Sequence, residues 1–237
     1  MRRWMQALVD TARRDPWPAL LAASLGGWIL IAMGGPSLAV ARLCGGLADG
    51  RATLAGLSLA LDLSPPGALA WSWFVMLLAM TPPLLAQPVR RLWRGSLRRQ
   101  RAASVAAFLA GYAGAWMAAG AVLVVAALML RLAADGMALA LSLAAALAWQ
   151  ATPAKRTCLL RCHAAPSLRA FGPGAQADSL RYGLTLGGWC VGACWPLMLV
   201  PLTADGAHLP AMVLAAAVMF VERHAPVREP AARLRLA

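Results

Sequence analysis

Six stretches of the chain are apolar for long enough to cross a bilayer, and the segments between them are polar and mostly rich in arginine. They run over residues 17–35, 67–87, 103–130, 136–153, 181–203 and 208–222, the last being the shortest. A spanning helix needs about 20 mostly apolar residues, or about 17 at the short end. The pattern therefore predicts an all-α, polytopic membrane protein with six transmembrane helices. Between the first two spans lies an outer stretch, 36–66. Its "ATLAGLSLALDL" reads as a short interfacial helix ended by Pro65, Pro66 and Gly67.

Basic residues give the spans a direction, because Lys and Arg are retained on the cytoplasmic side. Arg2, Arg3, Arg13 and Arg14 precede the first span, and Arg90, Arg91, Arg94, Arg98, Arg99 and Arg101 follow the second. Lys155, Arg156, Arg161, Arg169 and Arg181 follow the fourth, and Arg223, Arg228, Arg233 and Arg235 the sixth. Only Arg42, Arg51 and Arg131 fall on the other face. Both termini are expected in the cytoplasm, with the protein in a bacterial inner membrane. The expected organisation is a basic N-terminus (1–16), the first helix and outer loop (17–66), a five-helix membrane domain carrying the cysteine motifs (67–226) and a cytoplasmic tail (227–237). A competing reading takes "SLAVA" (37–41) as a signal-peptidase site, which would leave five spans in the same orientation.

Composition narrows the class. With 61% apolar residues, 13% charged residues and a mean hydropathy of +0.65, the chain is too apolar for a soluble domain, whose apolar share is about 45–50%. The net charge of +13 raises nucleic acid as a partner. The arginines, however, sit at the ends of apolar runs and not along one helix face, so no nucleic-acid binding is expected and the lipid bilayer is the partner. The loop "QPVRRLWRGSLRRQR" (87–101) suits anionic headgroups. No enzyme motif is present, and a non-catalytic role is expected.

Sulfur carries the candidate chemistry. Five cysteines are an odd number in a chain that is not a small disulfide-rich domain, so a disulfide framework does not fit. In "TPAKRTCLLRCH" Thr152 can cap a helix that has Pro153 at its first position. That helix puts Cys158 and Cys162 at i and i+4 on one face. His163 points about 100° away but can swing toward a shared ion. Lys155, Arg156 and Arg161 beside the thiols favour thiolate. The second pair, Cys190 and Cys194, lies in "GLTLGGWCVGAC", where Gly183, Gly187, Gly188 and Gly192 give small-x-x-x-small spacings that let helices approach closely. These cysteines are either ligands or small packing residues.

The ligand reading draws on Met76, Met80 and Met117, expected at similar depth, since thiolate and thioether donors in an apolar cavity suit Cu(I) better than zinc. Methionine is equally a filler of core gaps. With Arg181 at the inner boundary, Cys190 lies about 13 Å deeper at 1.5 Å per residue, and Cys158 lies at or outside that boundary. A straight fourth helix keeps the pairs apart, which favours two linked positions. They meet only if Pro153 kinks the chain and "HAAPSLRAFGPG" (163–174) folds back. Glu222 reads as a helix-end carboxylate paired with the adjacent arginine.

The segments "WFVMLLAMTPPLL" (73–85), "WQATPAKRTCLLRCH" (149–163), "LRYGLTLGGWCVGACWPLMLV" (180–200) and "MFVERHAP" (219–226) together resemble a bacterial domain-of-unknown-function family of predicted metal-binding integral membrane proteins. The similarity spans about residues 67–226. It implies a multi-span fold, metal binding, and Cys158, Cys162, Cys190, Cys194 and Met80 as ligands. This chain has Met80-Thr81 where such proteins often have a Met-Met pair, and Ala193-Cys194-Trp195 where they often have adjacent cysteines.

The resulting expectation is an inner-membrane protein that holds a soft metal ion, Cu(I), for handling or delivery. Cys158, Cys162 and His163 would form a cytoplasmic receiving site, and Cys190, Cys194 and Met80 an intramembrane one. A metal donor or acceptor protein, or a membrane complex, would be its partner. The rivals are a non-catalytic structural or assembly subunit and a metal transporter.

Overall fold

The computed structural model describes residues 16–34, 65–134, 136–164, 166, 169 and 173–225. These form eight α-helices: α1 (Trp17–Met33), α2 (Pro66–Met80), α3 (Ala86–Gly95), α4 (Arg101–Ala133), α5 (Ala138–Gln150), α6 (Pro153–His163), α7 (Pro173–Thr203) and α8 (His208–His224). Single 3-10 turns, Pro82–Leu85 and Asp205–Ala207, join α2 to α3 and α7 to α8. No strand occurs among the described residues, as an all-α chain requires. The basic N-terminus, the outer stretch up to residue 64 with its interfacial helix, "SLAVA", and the tail 227–237 lie outside the described residues.

Six full-length spans are not what the helices supply. Only α4 and the Gly174–Thr203 part of α7 are long and apolar enough to cross a membrane by themselves. A third arises if α2 and the Pro82–Gly95 segment, bent by 56°, count as one broken span. The reason lies in backbone chemistry. Pro82 and Pro83 interrupt the second apolar run, because proline donates no N–H and clashes with the preceding turn. The fourth run keeps only the 13 residues of α5 in regular helix. α1 and α8 have 17 residues each. The outer faces of these shorter helices are nonetheless strongly apolar: Met33 is 79% exposed, Leu147 71% and Leu214 67%.

α4 and α7 form the centre, side by side and parallel. Their contacts advance together along both chains. Gly183 lies against the Phe108 carbonyl and Gly187 against Tyr112 and Ala115, while Arg131 near the end of α4 donates to the Leu202 carbonyl at 3.2 Å. A Cβ on Gly111 or Gly183 would collide with the facing backbone, and one on Gly187 would stand 2.8 Å from Ala115 Cβ. The glycines expected to permit close approach at 183 and 187 do so, whereas Gly188 faces open space.

The other helices assemble on this pair. α2 meets α4 where the Trp73 ring lies over Gly120 and its Nε1 donates to the Trp116 carbonyl at 2.9 Å. α1 packs on α2 with Gly27 over the Leu78–Ala79 backbone and the Ser24 hydroxyl donating to the Ala79 carbonyl at 2.5 Å. α5 runs antiparallel to α7. The Ser142 and Thr203 hydroxyls meet at 2.5 Å near one end, and Trp149 Nε1 donates to the Gly192 carbonyl at 3.1 Å near the other.

Substitution Gly183→Ala is expected to destabilise the detergent-solubilised protein by about 1–3 kcal/mol, because the added methyl overpacks a backbone contact. Gly188→Ala should leave the unfolding temperature unchanged or slightly higher, since it only improves helix propensity. Thermal unfolding of both variants beside wild type checks the pair.

Candidate metal centre

The depth of the first cysteine pair is set by how soon α5 stops. Trp149, one residue before its end, bonds to Gly192, eleven residues beyond Arg181 along α7. The link to α6 is then only Ala151 and Thr152. Thr152 is the cap expected from sequence: its hydroxyl accepts from the Lys155 backbone N–H at 3.2 Å and donates to the Trp149 carbonyl at 2.8 Å, with Pro153 opening the helix. Such a cap contributes about 1 kcal/mol. α6 therefore begins beside the middle of α7 and not at the inner boundary.

Cys158 lands on Gly192, its Sγ 2.9 Å from where a Cβ would stand. One turn later Cys162 is buried, and Cys190, one turn before Cys194 on α7, accepts from the Tyr112 hydroxyl at 3.2 Å. Cys162 and Cys194 both lie near enough to Cys190 to influence its ionisation. Positions 190 and 192 are about 200° apart around a helix, so Cys158 approaches α7 on a different side and stands apart from the other three. The α6 cysteines are brought against the segment of α7 that carries Cys190 and Cys194, because the 13-residue α5 returns the chain beside the middle of α7.

Among the described residues no group of three or more His, Cys, Asp or Glu side chains stands together in metal-holding geometry. Thiols are the soft donors that favour Cu(I), and two thiolates suffice for a linear Cu(I) complex. All four cysteines in the described residues are free thiols.

His163 does not join them. Its Nδ1 faces the Leu159 carbonyl at 2.8 Å and its Nε2 the Arg223 carbonyl at 3.0 Å. Each ring nitrogen thus faces a backbone carbonyl and not a sulfur. The expected ligand is instead a pin between α6 and α8. Met80 is buried in the core at the end of α2; the sulfur contacts of the cluster are made by cysteines and by Tyr112.

Glu222 likewise changes partner. Its Oε1 bonds Lys155 Nζ at 2.6 Å, not Arg223, and Lys155, only 2% exposed, also donates to the Gln150 side chain. The sequence reading set Lys155 beside the thiols as a charge that favours thiolate; in the structure its ammonium is buried and paired with Glu222. Tyr112 escaped the sequence reading. The available signal was a tyrosine inside an apolar run, where a buried phenol needs a partner.

Residues 70–235 match the model of a protein family described as PpoB2, copper chaperone. The match takes in α3 through α8 and most of α2, and with them every contact of the thiol cluster. No curated protein and no solved structure matches the chain.

Replacing Lys155 by Met removes one partner of a buried ion pair and leaves the Glu222 carboxylate uncompensated, at an expected cost of about 3–5 kcal/mol. The double variant Lys155→Met/Glu222→Leu should recover most of that loss. Chemical or thermal unfolding of the single and double variants tests this; equal destabilisation in both would contradict it.

Proposed function

The chain belongs to the copper chaperone family whose model covers residues 70–235 of its 237, and from that premise we propose that it is a membrane-embedded Cu(I) carrier. It receives the ion on thiolates centred on Cys190 and passes it to an acceptor protein. The observation that carries this reading is that α6 lays its cysteine pair against the stretch of α7 holding the other, Cys158 Sγ meeting Gly192 between Cys190 and Cys194.

A sulfur with two sulfur neighbours suits transfer. Binding proceeds as Cu(I) plus two thiols giving a bis-thiolate and two released protons. An arriving third thiol adds to the ion while one of the first two leaves, so the ion moves without ever losing its soft donors. The same exchange, begun by a thiol or thioether of a partner, loads or unloads the site. The protein itself only loses and regains thiol protons as the ion binds and leaves, so the role is that of a carrier and not of an enzyme. Met80 is a reserve soft donor, since a thioether binds without releasing a proton.

Bilayer residence is supported by the apolar outer faces of α1, α5 and α8, by two helices of spanning length, and by the one-sided arginine distribution. On this reading the six apolar segments cross or re-enter the bacterial inner membrane with both termini in the cytoplasm. α5–α6 is then a broken segment whose backbone is covered by α7 and α8. A buried thiol pocket would keep the ion from water and from adventitious oxygen ligands.

The test is the copper content of full-length protein purified under reducing conditions after Cu(I) loading. Wild type is expected to carry close to one equivalent. Cys162→Ser/Cys190→Ser should lose it, and Cys158→Ser alone should retain most of it because Cys158 stands apart. Unchanged copper in the double variant would sink the assignment of the site.

A further inference from the structure

We infer that Tyr112 belongs to the metal centre as a positioning residue, its hydroxyl donating to the Cys190 sulfur when that sulfur is a thiolate ligand of Cu(I). The inference rests on the carrier reading above and adds to it a group that touches the ligand and not the ion. It stands on a contact between α4 and α7, in which Tyr112 Oη donates to Cys190 Sγ at 3.2 Å.

The pairing of the two helices builds this contact. Gly183 stands against the Tyr112 backbone nitrogen and Gly187 against its carbonyl, so α7 presents no side chain to the Tyr112 backbone. Cys190 follows Gly187 by three residues, nearly one turn, which sets it on the same flank of α7 and within reach of the phenol. The ring itself is fixed. It is 3% exposed and stacks on Phe108 with 6.4 Å between centroids, and Phe108, which has no exposed surface, packs in turn on Tyr182 at 5.1 Å. The donor is therefore in place before any ion arrives.

What the hydrogen bond contributes depends on the charge of the sulfur. A thiol is a weak acceptor, and a bond to an ionised partner is about twice as strong as one between neutral groups. Loading converts Cys190 from thiol to thiolate, and a coordinated sulfur retains lone pairs that accept. The bond is thus stronger in the loaded protein than in the empty one, and that difference adds to the affinity for the ion. The phenol gives up no proton in the step. Cu(I) enters, the two ligand thiols lose their protons, and the Tyr112 hydroxyl only turns its hydrogen to the charged sulfur.

Tyr112→Phe removes the hydroxyl and keeps the ring. Cu(I) affinity of the reduced, full-length protein is measured by competition with a chromogenic Cu(I) chelator, together with the sulfur-to-Cu(I) charge-transfer absorption of loaded minus empty protein. The substitution is expected to weaken binding by about tenfold or more, as loss of an outer-shell partner does. It should also move the charge-transfer band to longer wavelength, because the sulfur electrons lose a stabilising hydrogen. Tyr182→Phe, which alters the same aromatic group, should change neither. An affinity loss with an unmoved band would mean that Tyr112 is merely structural, and an unchanged affinity would mean that the hydrogen bond is irrelevant; each overturns the inference and leaves the carrier reading standing. Wild-type protein that takes up no Cu(I) would overturn the carrier reading itself, and the inference with it.

Discussion

Glycine at positions 111, 183 and 187 removes the side chains that would hold the axes of α4 and α7 apart, so that the two longest helices touch through their backbones. Close packing through these small residues is the means by which α7 acquires a fixed place against α4. Everything that bears on the site follows from it. The parallel pairing turns Cys190 toward Tyr112 on α4, and the free flank of α7 receives α5 and then α6.

The second consequence is electrostatic. Several ionisable groups meet where α6 meets α8: Lys155 with Glu222, His163 with the Arg223 carbonyl, and the half-buried guanidinium of Arg223. Charge in such a setting is expensive unless it is paired or used. The Lys155–Glu222 pair compensates itself and pins two helices that are distant in sequence.

Several local features were legible in the residues alone. Thr152 and Pro153 specify a helix start that depends on nothing beyond a few neighbouring backbone atoms, and the cap forms as its chemistry requires. Gly183 and Gly187 were legible as contact positions because spacing fixes which residues share a face. The lengths of the spans were not. Hydropathy measures how apolar a run is, and it is blind to the proline pair at 82 and 83 and to the early end of α5 at Gln150. That one shortening shifts Cys158 from the membrane boundary to the level of Gly192, beside the stretch of α7 that carries Cys190 and Cys194.

Composition, helical periodicity and the placement of arginine by themselves determined an all-helical, sulfur-bearing chain of apolar segments, because these depend on residue type and on spacings of a few positions. Tertiary structure alone decided the partners. Glu222 is bonded to Lys155, 67 residues away, and not to its neighbour; His163 reaches a carbonyl 60 residues away; Tyr112 meets Cys190 at a separation of 78. No periodicity encodes such pairings. They arise from where one short helix ends and from which faces of α7 remain free after α4 has packed against it, and those are properties of the assembled helices.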